Sequence, residues 1–276
     1  MAHFHTDQAP FQFKRGTLPL LVSMPHVGTF IPPDLAQRMT PSARQVPDTD
    51  WHLERLYGFA KDMGASVLAA THSRYVIDLN RPPDDASLYP GQSVTGLCPV
   101  DTFEHAPLYA PGEAPKPEEI EQRRKAIWQP YHDQLAQELA RLCSEQGRVV
   151  LWDAHSIRSV VPRFFEGQLP DLNLGTADGK SCDPALAQDL LQLAQSRPGY
   201  TAVLNGRFKG GYITRHFGQA QQGIHAIQLE MTQRTYMQES IPFAYDPARA
   251  ALVQPVLEAM LASALAFASA GQNSTD

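Results

Sequence analysis

The sequence predicts an α/β fold with a mixed, largely parallel central sheet and helices on both of its faces. Short apolar runs that favour strands alternate along the chain with longer stretches of helical periodicity. Gly64 and Gly147 each stand between a helical stretch and such a run, as helix-ending glycines do. Polar residues follow several of the runs, which is typical of open α/β sheets that bind ligands at the carboxyl ends of their strands.

Local signals justify the elements in chain order. An apolar run up to Met24 predicts the first strand, and Asp48 or Asp50 is a good N-cap for the amphipathic stretch that follows. Gly64 ends that stretch, and after two strand-like runs Pro117 opens the longest helical region. The predicted strands are 19–24, 65–70, 73–81, 149–152, 200–204 and 223–230. The predicted helices are 51–63, 117–146, 184–196 and 247–269.

Length and composition limit the possible functions. The 276 residues fit one α/β domain over 1–276, with a Pro-rich insertion at 82–118 and a disordered tail from about 270 to 276. A formal net charge of −6 argues against nucleic acid as a partner. We expect a cytoplasmic protein that binds no membrane, because the N-terminus lacks a signal peptide and no uninterrupted apolar run is long enough to cross a bilayer. The sequence does not show the oligomeric state.

Histidine and carboxylate side chains lie at the ends of three predicted strands. His26 follows the first strand, His155 follows the strand over 149–152, and Glu230 ends the strand over 223–230. Two imidazoles and one carboxylate are the minimal ligand set of a hydrolytic zinc site. Such chemistry needs a separate carboxylate as base, for which Glu230 is the candidate. Each residue also has a purely structural interpretation, as a helix cap or as a hydrogen-bonded core histidine.

Arginines accompany these segments. Arg74 and Arg81 bracket the run over 73–81, and an arginine just past a buried strand is suited to clamp a carboxylate or a phosphate. The stretch over 205–218 is basic, aromatic and rich in glycine, and it carries Arg207 and Arg215. Its alternative interpretation is a mobile surface loop. Loops as long as the 82–118 insertion are usually functional, and whether this one closes over a ligand is open.

Taken together, these segments resemble the N-formylglutamate amidohydrolase family. The resemblance runs in order from about residue 10 to residue 265, which is nearly the whole chain. It implies a phosphorylase/hydrolase-like α/β fold related to zinc carboxypeptidases and to aspartoacylase-type deacylases. The matching segments are SMPHVG at 23–28, DTDW at 48–51, SR at 73–74 with NR at 80–81, DAHSI at 153–157 and GRFKGGYITR at 206–215. The Asn-Arg pair and the segment after Gly206 are the most specific of them.

The resemblance implies a role for each candidate. His26 and His155 match the two histidine ligands, and Glu230 matches the catalytic base. One departure matters: Thr29 stands where those relatives carry a glutamate ligand, so Asp48 or Asp50 must supply the carboxylate. Zn²⁺ is the expected cofactor, although Co²⁺, Mn²⁺ or Fe²⁺ would suit the same ligands. The residues expected to bind substrate are Arg74, Asn80, Arg81, Arg207, Tyr212 and Arg215, of which Asn80 and Arg81 match a substrate clamp.

The implied reaction is hydrolysis of N-formyl-L-glutamate to formate and L-glutamate in histidine degradation. Tyr212 or an arginine would stabilise the oxyanion, and arginines would bind the two carboxylates of the substrate. A zinc deacylase of another N-acyl amino acid is one alternative, and a non-catalytic dicarboxylate-binding protein is another. A serine hydrolase is disfavoured, because Ser156 lacks the GxSxG elbow.

Overall fold

The computed structural model describes residues 4–88 and 91–270, which form an α/β fold around a seven-stranded sheet. The strands follow one another in the order β1-β3-β2-β4-β7-β5-β6. β1 pairs antiparallel with β3, and β5 pairs antiparallel with β7, whereas the other four pairs are parallel. The predicted mixed, largely parallel sheet is therefore confirmed. The strands are β1 (Phe11–Lys14), β2 (Leu20–Met24), β3 (Ser66–Ala70), β4 (Val149–Ile157), β5 (Leu172–Gly175), β6 (Ala202–Leu204) and β7 (Ile224–Thr232).

Helices cover both faces, because alternate side chains of each strand point to opposite sides of the sheet. Trp152 of β4 packs in one core with the helices of the C-terminal half, and Leu151 packs in a second core with the long central helix. The α-helices are α1 (Pro33–Arg38), α2 (Leu53–Leu56), α3 (Phe59–Asp62), α4 (Pro117–Arg123), α5 (Gln129–Gln146), α6 (Pro184–Gln195), α7 (Tyr212–Phe217) and α8 (Pro247–Ala270). A π-helical segment, Arg124–Trp128, joins α4 to α5.

The C-terminal helix α8 is long and apolar enough, by length and composition, to cross a membrane, with a mean hydropathy of 1.6. Polar residues such as Glu258 interrupt its apolar sequence. Its buried side, which includes Val253, Leu257 and Leu261, packs into the first core. The predicted disordered tail lies outside the described residues, apart from Ala270 at the end of this helix.

Two predicted elements are wrong. The segment over 73–81 forms turns, in which the amides of Val76 and Arg81 donate to the carbonyls of Ser73 and Asp78. These local bonds replace a strand ladder, so the segment crosses the end of the sheet without joining it. The helix predicted over 51–63 is split into α2 and α3, because the chain turns at Tyr57 and Gly58.

The strand that leads to His155 is longer than predicted, and this extension builds the site. β4 continues to Ile157, so His155 lies within the strand and not after it. β2 pairs with β4 only as far as Asp153, whereas β7 pairs with it along all nine residues. The last residues of β4 therefore have a sheet neighbour on one side only. On the other side, the chain that leaves β2 at Met24 can place polar side chains against them.

Candidate active site

A buried group of two histidines and one aspartate lies where β4 continues beyond β2. His26 occupies the turn after β2, and the amide of Asp50 donates to the His26 carbonyl at 3.0 Å, which brings Asp50 to the same place. Asp50 Oδ2 lies 3.2 Å from His155 Nδ1 and 3.8 Å from His26 Nδ1. One ligand atom from each residue falls within 4.8 Å of the other two, and all three residues are buried. This group could hold a metal ion.

The other ring nitrogen of each histidine faces a second carboxylate. His26 Nε2 donates to Asp78 Oδ1 at 2.7 Å, and His155 Nε2 lies 3.2 Å from Asp153 Oδ2. Metal-bound histidines usually donate their second nitrogen to a carboxylate or a carbonyl, which fixes the ring and leaves the first nitrogen for the ion. The Nδ1 atoms of the two rings therefore face the same space, and the Nε2 atoms already have their carboxylate partners. This donor set fits a divalent metal ion.

Arg74 is a buried cation beside the group. Its NH2 donates to Asp78 Oδ2 at 2.6 Å, and its NH1 lies 3.3 Å from His26 Nδ1. Burial and the Arg74 guanidinium lower the pKa of His26, which favours the neutral imidazole that binds metals. Burial also acts to lower the pKa of His155, but the Asp153 and Asp50 carboxylates outweigh it and hold that pKa well above its usual value. His155 therefore stands where the carboxylates favour positive charge.

Glu230 lies beside His155 on the neighbouring strand. The two residues are register partners of β4 and β7, so their side chains are on the same face of the sheet. Burial raises the pKa of Glu230 to about 8, against the opposing effect of the His155 charge. The Glu230 carboxylate accepts a hydrogen bond from Gln228 Nε2 at 3.2 Å. A carboxyl group with this pKa can exchange a proton near neutral pH.

A cavity opens over this group. Glu230, His26 and His155 line its floor, and arginine and aromatic side chains line its wall. Arg74 lies over the ring of Phe103, with 4.8 Å from its guanidinium carbon to the ring centre. The remaining lining residues are Asn80, Arg81, Ser93, Val94, Ser156, Ile157, Phe164, Arg207, Phe208, Gly211 and Gln228.

Three arginines hold one part of the cavity wall by its backbone. Arg81 Nε donates to the carbonyl of Thr95 at 2.7 Å, and Arg207 NH2 donates to the carbonyl of Ser93 at 3.2 Å. Arg163 NH2 donates to the carbonyl between them, that of Val94, at 3.3 Å. This stretch belongs to the Pro-rich insertion, so the described part of the insertion forms one side of the cavity.

The structure brings most of the predicted site residues together. His26, Asp50, His155 and Glu230 meet as described, and Arg74, Asn80, Arg81 and Arg207 line the cavity. Three predicted residues do not join them. Asp48 lies outside the histidine group, where its carboxylate accepts from the Tyr75 hydroxyl at 2.6 Å and from the Phe103 amide at 2.8 Å. Tyr212 and Arg215 are on α7, outside the residues that line the cavity.

Some side chains of the candidate site are not predicted from the sequence. Asp78 lies in the segment predicted as a strand, and its position two residues before Asn80 is the signal that could have found it. Gln228 stands two residues before Glu230 on β7, so the period of a strand could have placed both on one face. Phe103 and Phe164 come from the insertion and from the loop after β4, where no local pattern connects them.

The fold and the site define an α/β protein with a buried two-histidine, one-aspartate group that could hold a metal ion, beside a buried glutamate. The chain belongs to the N-formylglutamate amidohydrolase family, whose sequence model matches residues 18–237. N-formylglutamate deformylase of Pseudomonas aeruginosa is 54% identical over 255 residues, which cover 92% of this chain and 96% of the relative. The Pseudomonas putida enzyme of that name is 52% identical over 255 residues, covering 92% and 95%.

One solved structure carries the name of this family, and a second shares only the fold. The crystal structure of N-formylglutamate amidohydrolase from Ralstonia eutropha JMP134 has a TM-score of 0.80 at 27% identity, covering 95% of this chain and 98% of that one. A gene product of Agrobacterium tumefaciens has a TM-score of 0.69 at 17% identity, covering 94% and 96%, and supports the fold alone.

Proposed function

We propose that the protein hydrolyses N-formyl-L-glutamate to formate and L-glutamate, with a metal ion held by His26, Asp50 and His155. Family membership and the two Pseudomonas relatives support the substrate. The observation that carries the chemistry is the convergence of two Nδ1 atoms and one aspartate oxygen next to a buried glutamate. The role in histidine degradation stays a prediction from the family resemblance.

Zinc is the first choice for the metal, because a hydrolytic zinc site commonly uses three protein ligands and keeps another position open. Co²⁺, Mn²⁺ or Fe²⁺ would suit the same ligands. We assign the third ligand to Asp50, because Asp48 accepts hydrogen bonds from Tyr75 and Phe103 instead. When bound, a divalent ion polarises a carbonyl oxygen and lowers the pKa of a water molecule.

Glu230 acts as the base and proton carrier. Its carboxylate takes a proton from the attacking water and returns it to the departing amine nitrogen. Its burial supports this role, because it raises the pKa to about 8. Arg74 is our candidate for stabilising the oxyanion, because it lines the cavity beside His26, whereas Tyr212 does not line it.

Arg81 and Arg207 orient the two carboxylates of the substrate. Both line the cavity, and a guanidinium can bind a carboxylate through two parallel hydrogen bonds. In the structure Arg81 Nε and Arg207 NH2 each donate to a carbonyl of the 93–95 stretch, and these bonds fix both side chains at the cavity wall. Asn80 also lines the cavity, and its Oδ1 accepts from the Ile213 amide at 2.8 Å.

The test is formate release from N-formyl-L-glutamate by metal-loaded protein, with a chelated sample and His155→Ala as controls. We expect turnover that is lost in both controls. Asp50→Ala should abolish metal binding, whereas Asp48→Ala should keep it. Turnover in the chelated sample would refute the role of the metal. No turnover with metal bound would refute the formyl substrate and favour a longer N-acyl amino acid. No turnover and no bound metal would leave the dicarboxylate-binding protein.

A further inference from the structure

The buried side chain of Gln228 connects Glu230 to the glycine-containing loop before α7. Gln228 is 4% exposed and lies on β7 as the register partner of Asp153. Its Oε1 accepts from the Gly211 amide at 2.7 Å, and its Nε2 donates to Glu230 Oε2 at 3.2 Å. The Gln228 side-chain oxygen therefore binds the backbone, and its nitrogen binds the proposed base.

The direction of the Gln228 amide is fixed by chemistry. A backbone N–H can only donate, so the group that faces the Gly211 amide must be the oxygen. The NH₂ group then faces Glu230 Oε2, which accepts its hydrogen bond at 3.2 Å. A glutamine is the side chain that satisfies both partners at once. A glutamate at this position would still accept from the Gly211 amide. Toward Glu230, however, it would place a carboxyl oxygen against a carboxyl oxygen.

The loop whose Gly211 amide binds the Gln228 oxygen packs tightly against Asn80. A Cβ atom at Gly211 would lie 2.3 Å from Asn80 Nδ2, so only glycine allows the backbone to approach that side chain. Asn80 Oδ1 in turn accepts from the Ile213 amide at 2.8 Å. The Gly211 amide therefore has a defined position, from which it can orient Gln228.

Glu230 depends on this contact for its orientation. Among the residues that the structure describes, Gln228 is the only one with a hydrogen bond to the Glu230 carboxylate. The nearby Asn173 Nδ2 donates at 3.0 Å to the backbone carbonyl of Glu230, which does not hold the carboxylate. A glutamate side chain has three rotatable bonds, so a single contact at its end decides where the oxygens point.

We propose that Gln228 is a positioning residue, which holds the Glu230 carboxylate toward the space between His26 and His155. This inference rests on the proposed function, in which Glu230 carries protons during hydrolysis. A donor misplaced by about 1 Å is enough to cost roughly 100-fold in rate. A positioning role predicts loss of kcat, whereas a substrate contact would raise KM and a packing role would lower thermal stability alone.

The experiment compares Gln228→Glu and Gln228→Leu with the wild type, all metal-loaded. Gln228→Glu has nearly the same shape, keeps the acceptor for the Gly211 amide and removes the donor to Glu230. Gln254→Glu and Gln254→Leu are the matched controls, because Gln254 is a half-buried glutamine on α8 that donates to the Leu56 carbonyl at 3.0 Å. Formate release gives kcat and KM, and thermal unfolding, metal content and L-glutamate affinity are measured on the same samples.

We expect both Gln228 variants to lose about 10- to 100-fold in kcat, the size of one hydrogen bond to a charged group. KM, metal content and L-glutamate affinity should stay within about threefold, and the Gln254 variants should keep the wild-type kcat. A Gln228→Glu protein that folds and keeps wild-type kcat would overturn the inference, as would a change confined to KM. If Gln228→Leu does not fold, Gln228→Glu decides. A wild type without turnover would overturn the proposed function, and this inference with it.

Discussion

Asp78 provides the sharpest test of how the outer partners support the proposed metal site. Its carboxylate is fully buried and accepts three hydrogen bonds: from Arg74 NH2 at 2.6 Å, from His26 Nε2 at 2.7 Å and from the Asn80 amide at 2.9 Å. Burial acts to raise the pKa of Asp78, but Arg74, His26 and Arg81 outweigh it and hold that pKa well below its usual value. The Asp78 carboxylate is thus charged, and both of its oxygens accept hydrogen bonds.

Asp78→Asn removes one charge and turns one acceptor oxygen into a donor. That NH₂ group must then face either the Arg74 guanidinium or the His26 ring, and both of these donate. Breaking one side of a buried ion pair costs about 3–5 kcal/mol of folding free energy. Removing the outer partner of a metal-bound histidine typically costs about 10- to 100-fold in metal affinity, or roughly 1.4–2.8 kcal/mol.

Metal affinity is measured by competition with a chelating indicator, and stability by urea unfolding of the metal-free protein. Asp171→Asn is the control, because Asp171 is buried, accepts from Arg234 Nε at 2.8 Å and lies outside the residues that line the cavity. The control should lose stability and keep its metal affinity. If Asp78→Asn bound the metal as tightly as Asp171→Asn, the role of Asp78 in orienting His26 would be refuted.

Three further predictions concern the cavity wall, a buried histidine and the glycine beside Asn80. Arg163→Lys should raise KM about 2- to 10-fold with little change in kcat, because lysine cannot hold Ser93 and Val94 at once through separate N–H groups. An unchanged KM in formate-release kinetics would contradict this. Burial lowers the pKa of His132 to about 3, so the folded state stays neutral while the unfolded state takes up a proton below pH 6.5. His132 therefore lowers the free energy of unfolding as pH falls from 6.5 toward 3. His132→Gln should reduce the slope of this free energy against pH by about 1.4 kcal/mol per pH unit. Equal slopes for variant and wild type in urea unfolding at several pH values would refute the prediction. Gly211→Ala should lower both Tm and kcat, because the added Cβ would meet Asn80 at 2.3 Å; thermal scans and rate assays that match the wild type would show that the loop can move away.

Local sequence patterns predict five of the seven strands and miss the two short strands β1 and β5. The runs that form β2, β3 and β7 are apolar and bounded by turn signals, so their positions follow from the sequence. β1 and β5 have only four residues each, and such short strands form because a neighbour offers them a hydrogen-bonding edge. The 73–81 segment shows the opposite case: its apolar residues are buried, but no neighbouring strand pairs with it.

The candidate site could be predicted where the chemistry depends on residue type at a strand end. Residue type near a predicted strand end selects His26, His155 and Glu230 as candidates, but the sequence leaves the choice between Asp48 and Asp50 open. The two aspartates are separated by one residue and have similar surroundings along the chain. Only the three-dimensional arrangement shows that one faces the histidines and that the other faces Tyr75 and Phe103.

The position of the site follows from the unequal lengths of two neighbouring ladders. If β2 had continued beside β4, its backbone would occupy the place where His26 and Asp50 now face His155. Because β7 stays paired to β4 throughout, it delivers Gln228 and Glu230 to the open face at fixed register. Two of the proposed ligands, His26 and Asp50, thus come from chain segments outside the sheet, whereas His155, the proposed base and its positioning residue lie on strands. The more rigid element carries the groups whose orientation must be most exact for proton transfer.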